Sequence, residues 1–190
     1  MRLSRRGTLA GLGSLSLAST ARAETFPTRP LTLVIPFPAG GPSDVFGRHL
    51  AQGLAPRLGQ SVVVENKSGA AGVTGVDFVA KAAADPHVIG MMSASAGAIM
   101  QHLMPRMPYN PQRDIAPLTL MVRVQEMLVV NSKLGINSFK DFVAAAKAKP
   151  GKITFASGGL GGSHHLSGEL FKNIAGVFMT HIPYRGGAPA

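Results

Sequence analysis

The feature that most limits how this chain can fold is a junction. The apolar run Leu31-Thr-Leu-Val-Ile35 meets Pro36-Phe-Pro-Ala-Gly-Gly-Pro-Ser-Asp44, and the amphipathic Val45-Phe-Gly-Arg-His-Leu50 follows. A β-rich run, a glycine turn and a helical pattern in that order spell a strand–turn–helix unit. Such a turn leaves backbone N–H groups at a helix N-terminus, where an anion can sit. A second turn of this kind, Ser157-Gly-Gly-Leu-Gly-Gly-Ser163, follows the strand-like Ile153-Thr-Phe-Ala156. Two such turns far apart point to a carboxylate gripped between two lobes rather than to a catalytic centre.

The same alternation runs along the chain. After the first strand, Leu31 to Phe37, a helix from about Ser43 to Leu58 places Phe46, Leu50 and Leu54 on one face. Ser61 to Glu65 reads as a second strand. Ala70 to Ala84 reads as a helix with Val76, Val79, Ala80 and Ala83 inward, and Val88 to Ser93 as a third strand. This β-α-β-α-β order is that of a doubly wound α/β sheet. Residues 105–117 are rich in proline and suit a crossover between a first lobe, 24–104, and a second, 118–190. In the second, Leu118 to Val122 and Met127 to Asn131 are strand-like. Ser138 caps a helix running to Lys149, with Phe139, Phe142, Val143 and Ala146 on its buried side. A strand at Ile153 to Ala156, a helix at His165 to Ala175 and a strand at Phe178 to Ile182 complete the pattern. A glycine turn follows, where a further helix is expected, so the chain reads as C-terminally truncated, with the second lobe and the return to the first incomplete.

The N-terminus has the order of an export signal. Met1-Arg-Leu-Ser-Arg-Arg6 precedes a weakly apolar segment, which ends at Ala21-Arg-Ala23, an A-x-A cleavage pattern. Residues 1–23 are therefore expected to be a leader, with twin-arginine and general secretion both open, and the mature protein to be periplasmic. Of 19 Lys and Arg, four lie in this leader, leaving 15 against 9 Asp and Glu. The remaining excess is scattered, and the few aromatic residues do not interleave with it, which disfavours nucleic acid. A mildly basic surface favours anionic ligands. No cysteine is present, which excludes disulfides, thiolate metal sites and a cysteine nucleophile.

The catalytic motifs are missing. There is no phosphate-cradling G-x-x-x-x-G-K-[ST], no G-x-G-x-x-G and no G-x-S-x-G. Adjacent His164 and His165 point about 100° apart on a helix, unlike a metal-binding i, i+4 pair. One is expected at a cleft edge and the other packed or solvated. Met91, Met92, Met100, Met104 and Met107 read as core filler, since methionine adapts to irregular gaps. No metal or cofactor is implied. What remains is main-chain chemistry: Gly40-Gly41 and Gly158-Gly159 permit close backbone approach, and Ser43, Ser157 and Ser163 add hydroxyls. The alternative for either turn is an ordinary βα connection.

In these residues the chain resembles the Bug family, the TctC-type extracytoplasmic solute receptors of tripartite tricarboxylate transporters. The resemblance runs from Phe26-Pro-Thr-Arg-Pro30 through the first glycine turn and Val64-Glu-Asn-Lys-Ser-Gly-Ala-Ala-Gly72. It continues through Pro108-Tyr-Asn-Pro111, Ala146-Lys-Ala-Lys-Pro-Gly151, the second turn and Pro183-Tyr-Arg-Gly-Gly-Ala-Pro-Ala190. Asp85-Pro-His-Val-Ile-Gly-Met-Met92 departs from the family's Asp-Gly-Tyr-Thr-Leu-Leu type of strand. The resemblance implies a type II periplasmic-binding-protein fold of two α/β lobes closing on a small organic carboxylate. It implies ligand contacts from Phe37, Ala39, Gly40, Gly41, Ser43 and Asp44, partly through ordered water. It also implies contacts from Ser157, Gly159, Gly161, Ser163 and His164, and from Tyr184, Arg185 and Gly186. It further implies no enzymatic activity, and the two transporter subunits of the membrane as partners. A truncated, non-binding fragment and a nucleotide-using α/β enzyme are the alternative readings.

Overall fold

The computed structural model describes residues 25–82 and 84–190. The expected leader and the inward Ala83 lie outside the described residues. The first sheet has three parallel strands in the order β2-β1-β3: β1 (Leu31–Ile35), β2 (Val62–Asn66) and β3 (Val88–Gly90). Leu33 of β1 pairs with Val64 on one side and Ile89 on the other. Flanked on both edges and covered on its faces, β1 buries Leu33, Val34 and Ile35 almost completely. That burial is why Leu31 to Ile35 reads as an unbroken apolar run rather than an alternation.

The crossover from β1 to β2 is α1 (Pro42–Leu58), with proline in its first turn and the left-handed Gly59 as its C-cap. Its buried positions are Asp44, Gly47 and Ala51. The expected apolar face was Phe46, Leu50 and Leu54. Leu50 and Leu54 are half-buried, but Phe46 is 40% exposed. The small residues take the inner face because the helix lies low on β1, directly over Ile35. The crossover from β2 to β3 opens with a tight turn, Ala70–Gly72, and continues as α2 (Val73–Lys81). Val73 and Val76 are buried, and Val79 and Ala80 partly so. Gly75 of α2 rests against backbone: a Cβ there would lie 2.7 Å from Pro36 Cα and 2.8 Å from the Lys67 carbonyl oxygen. After β3, a π-helical turn (Ser95–Ile99) runs into α3 (Met100–Leu103).

The second sheet pairs β4 (Thr154–Ser157) with β5 (Thr180–Pro183), again in parallel. Ahead of it lies α4 (Phe139–Ala148), and between its strands α5 (Ser163–Ala175). The Ser138 hydroxyl accepts the Asp141 N–H and donates to the Asp141 carboxylate, which is the expected cap. Phe142, Ala146, Val177 and Met179 form the core here. Phe139, expected inward, is 63% exposed and makes a T-shaped contact with the Phe171 ring.

The strand-like runs Leu118 to Val122 and Met127 to Asn131 are not strands. Both are irregular, with Leu118 82% and Met127 and Val129 each 84% exposed. A strand is completed by a ladder partner, and none of the described residues pairs with either run. Local β-propensity without such a partner fixes no strand.

Because α2 meets backbone at Gly75, Gly75→Ala overpacks a contact that has no flexible atom to give way. Chemical denaturation is expected to show a loss of about 1–3 kcal/mol with an unchanged denaturant slope. A loss under 0.5 kcal/mol would contradict the close approach.

Candidate functional site

In an open parallel sheet, ligands lie beyond the carboxyl ends of the strands, where neighbouring connections leave in opposite directions. The β2-β1-β3 order makes β1 such a switch point, and the loops after β1, β2 and β3 gather there. The loops after β4 and β5 face them. Between the two sets lies a cavity of about 360 Å³. Phe37 and Gly69 to Gly72 line it from the first sheet, Met100 and Met104 from α3 and its end. Gly158 to Leu160 and Pro183 to Arg185 line it from the second.

The first glycine turn is held by a carboxylate of its own. Asp44 is buried; its Oδ2 accepts the Gly40 N–H at 3.0 Å and Arg48 Nε at 2.9 Å, and its Oδ1 accepts Asn66 Nδ2 at 2.9 Å. Asn66 Nδ2 also donates to the Phe37 carbonyl. The hydrogen bond from Arg48 foremost, then that from Gly40, lowers the Asp44 pKa to about 2. Among the turn's expected ligand residues, only Phe37 lines the cavity; Ala39, Gly40, Gly41, Ser43 and Asp44 are not on its lining. The segment after β5 packs over the bend, with Gly186 against the Pro38 ring and Ala188 near Gly41. Asp44 therefore braces the loop, and its oxygens are occupied by protein donors.

The second turn is likewise satisfied from within. Ser157 is 2% exposed, and its Oγ accepts the Gly159 N–H at 3.2 Å and lies 2.7 Å from His181 Nε2. The Gly161 N–H donates to His165 Nδ1 at 3.1 Å, and the Ser163 N–H to Ser95 Oγ at 3.1 Å. The last of these crosses from the first half of the chain to the N-terminus of α5. Gly161 has φ +72°, and its missing side chain leaves room for the Met100 sulfur, which would lie 2.6 Å from a Cβ. Every acceptor on these three amides is a neutral side-chain atom.

The two histidines differ, and neither is on the cavity lining. His164 is exposed; His165 is half-buried, its ring stacked on His181 at 4.1 Å. Burial, then the neighbouring His165, pushes the His181 pKa below its ordinary value. Gly159, Tyr184 and Arg185 line the cavity, whereas Ser157, Gly161, Ser163, His164 and Gly186 are not on its lining. Among the described residues no carboxylate pairs with Arg185. No group of three or more His, Cys, Asp or Glu among the described residues could hold a metal.

Sequence reasoning missed His181, the Gly69–Gly72 turn and the lining role of Met100 and Met104. His181 carried a signal, being a polar interruption in the apolar run Phe178 to Ile182. The turn at Gly69 carried another, since Gly69-Ala-Ala-Gly72 separates a strand pattern from a helical one, and all four residues have positive φ.

Two pH windows follow from these shifts. Asp44 binds its proton more weakly folded, at about 2, than unfolded, at 3.8. Its stabilisation is present above 3.8 and is lost as the pH falls toward 2. His181 is held neutral, so the unfolded chain binds the extra proton below 6.5 and stability falls as the pH drops through that value. Urea melts between pH 7.5 and 5 are expected to show this decline, and His181→Gln to flatten it. An unchanged slope in the variant would remove His181 as its source.

A family model described as the tripartite tricarboxylate transporter family receptor matches residues 46–190. Protein BugT of Bordetella pertussis is 41% identical over 180 residues, which cover 94% of this chain and 55% of BugT. The solved structure of R. palustris Rpa4515 with adipate is 36% identical, with a TM-score of 0.83 over 86% of this chain and 55% of that one. The periplasmic binding protein BugD is 34% identical, with a TM-score of 0.71 over 86% of this chain and 55% of its own. The chain spans about half the length of the curated relatives it matches. Its parallel sheets and facing loops share the periplasmic-binding-protein fold of these structures. The match reaches from α1 through the second glycine turn to Ala190, and the chain belongs to the tripartite tricarboxylate transporter receptor family.

Proposed function

We propose that this chain carries the ligand-gripping loops of a periplasmic receptor for a small organic carboxylate, which it delivers to the membrane subunits of a tripartite tricarboxylate-type transporter. The two lobes are 24–104 and 118–190, joined by the crossover 105–117. The observation that carries the reading is the cavity itself. It is walled by glycine-rich main chain from both sheets, Arg185 is on its lining with no carboxylate partner among the described residues, and none of the described lining residues is acidic. Membership of a receptor family and the adipate of Rpa4515 support the same reading, as does the periplasmic placement of BugD. The role is to bind and release, not to catalyse.

Arg185, Tyr184 and the amide of Gly159, all on the cavity lining, are the donors that meet the carboxylate, with the amides of Gly161 and Ser163 following in the same turn. The Ser157 hydroxyl, off the lining, holds the Gly159 amide in place, and His164 lies exposed just after the same turn. Phe37 forms the facing wall, while Ala39, Gly40, Gly41, Ser43, Asp44 and Gly186 shape the loop beneath it and hold bridging water. A neutral acceptor on an amide is exchanged for an anionic one, and hydrogen bonds to charged acceptors are about twice as strong.

A ligand at a hundred times its dissociation constant stabilises the folded state by about 2.7 kcal/mol. A carboxylate panel is expected to raise the melting temperature, with the matching neutral amides giving no rise. Arg185→Gln is expected to weaken binding about 10- to 100-fold, the range for a lost hydrogen bond to a charged group. Equal shifts from acids and their amides would overturn the proposal.

A further inference from the structure

The walls of the cavity differ from its polar edge. Phe37, Met100, Met104, Leu160 and Pro183 present hydrocarbon and thioether surface, and the ring of Tyr184 continues it. One charged side chain, Arg185, is on the lining. Met100 is itself buried, in contact with Gly161, and Phe37 and Met104 are half-buried, so this side of the wall is part of the packed structure, while Leu160 and Tyr184 are exposed.

A ligand bearing three carboxylates and a hydroxyl would match poorly here. One guanidinium answers one carboxylate in a bidentate pair. The others would turn toward methionine and phenylalanine, where an unpaired polar or charged group loses its hydration without replacement. A hydrocarbon body has the opposite balance, because each methylene removed from water onto these side chains gains free energy. The volume, about 360 Å³, sits near the lower end of the range for small-molecule sites. That suits a short chain or single ring rather than a large conjugate.

Resting on the carboxylate reading above, we infer that the Phe37–Met100–Met104 wall selects carboxylates with an unsubstituted hydrocarbon body over hydroxylated tricarboxylates. Arg185 and the Gly159 amide hold the carboxylate end. The methionine wall holds the carbon chain, and the flexible thioether of Met104 lets chains of different length pack.

The test is calorimetric titration of the full chain with butyrate, hexanoate, octanoate, adipate and citrate at fixed pH and ionic strength. Affinity is expected to rise about three- to fourfold per added methylene until the cavity is full, with citrate weaker than hexanoate. Met104→Gln is expected to cut the gain per methylene to twofold or less, and Met104→Leu to keep it. A flat series, or citrate tighter than every alkyl acid, overturns this inference while leaving the carboxylate reading intact. Absence of binding by every acid in the panel overturns both.

Discussion

The parallel pairing of β1 between β2 and β3 is the constraint from which the site follows. A strand with partners on both edges and cover on both faces can be reached only through crossovers, and α1 and α2 are those crossovers. Parallel strands also end on the same side. The loops after β1, β2 and β3 therefore meet at one rim, and those after β4 and β5 form a second rim facing it. The low seating of the helices, with Gly47 over Ile35 and Gly75 against Pro36, draws the helix starts close to the strand ends. The site is a consequence of topology before any particular side chain is considered.

The amides at these rims are not bare. Gly40 donates to Asp44, Gly159 to Ser157, Gly161 to His165 and Ser163 to Ser95. The first pairing differs in kind from the others. Asp44 is a carboxylate already anchored by Arg48 and Asn66, and its lowered pKa keeps it charged at every ordinary pH. Displacing it would strand a buried charge, which costs several times a neutral hydrogen bond. The acceptors of the second turn are a hydroxyl, an imidazole and another hydroxyl, each replaceable at modest cost. Electrostatics thus divides the two turns: the first is braced by a charged acceptor, and the second by neutral ones.

This division was invisible in the sequence, while the fold was largely legible. The apolar run at Leu31, the glycine junctions and the Ser138 cap each specify local backbone by their own chemistry, and the structure has strand, turns and helix start at those places. The failures share a cause. Leu118 to Val122 has strand-forming residues, but a strand is a relation to a neighbour, which composition alone does not record. Asp44 at a helix start fits a ligand contact and a loop brace equally well, until Arg48 and Asn66 are seen to converge on it. His181 became part of the second turn only through the parallel register of β4 with β5. Met100 and Met104 read correctly as apolar packing residues, but their place on a cavity wall depends on where α3 lies relative to the other sheet.

The contacts that join the two halves at the cavity set how an anion can act on them. They include one neutral hydrogen bond, from the Ser163 N–H to Ser95 Oγ, the packing of Met100 and Leu103 on Gly161, and that of Pro38 on Gly186. A neutral hydrogen bond is worth about 0.5–1.5 kcal/mol net, so this apposition is only weakly self-sustaining. A ligand shifts a conformational balance by no more than the difference in its affinity for the two states. A carboxylate held by Arg185 alone would favour neither open nor closed. One that also touches Phe37 and the methionine wall engages both halves at once, and only then does binding favour closure. Under the proposed function, the hydrocarbon wall and the anion-binding turn therefore act together: the turn fixes the carboxylate, and the wall couples it to the facing lobe.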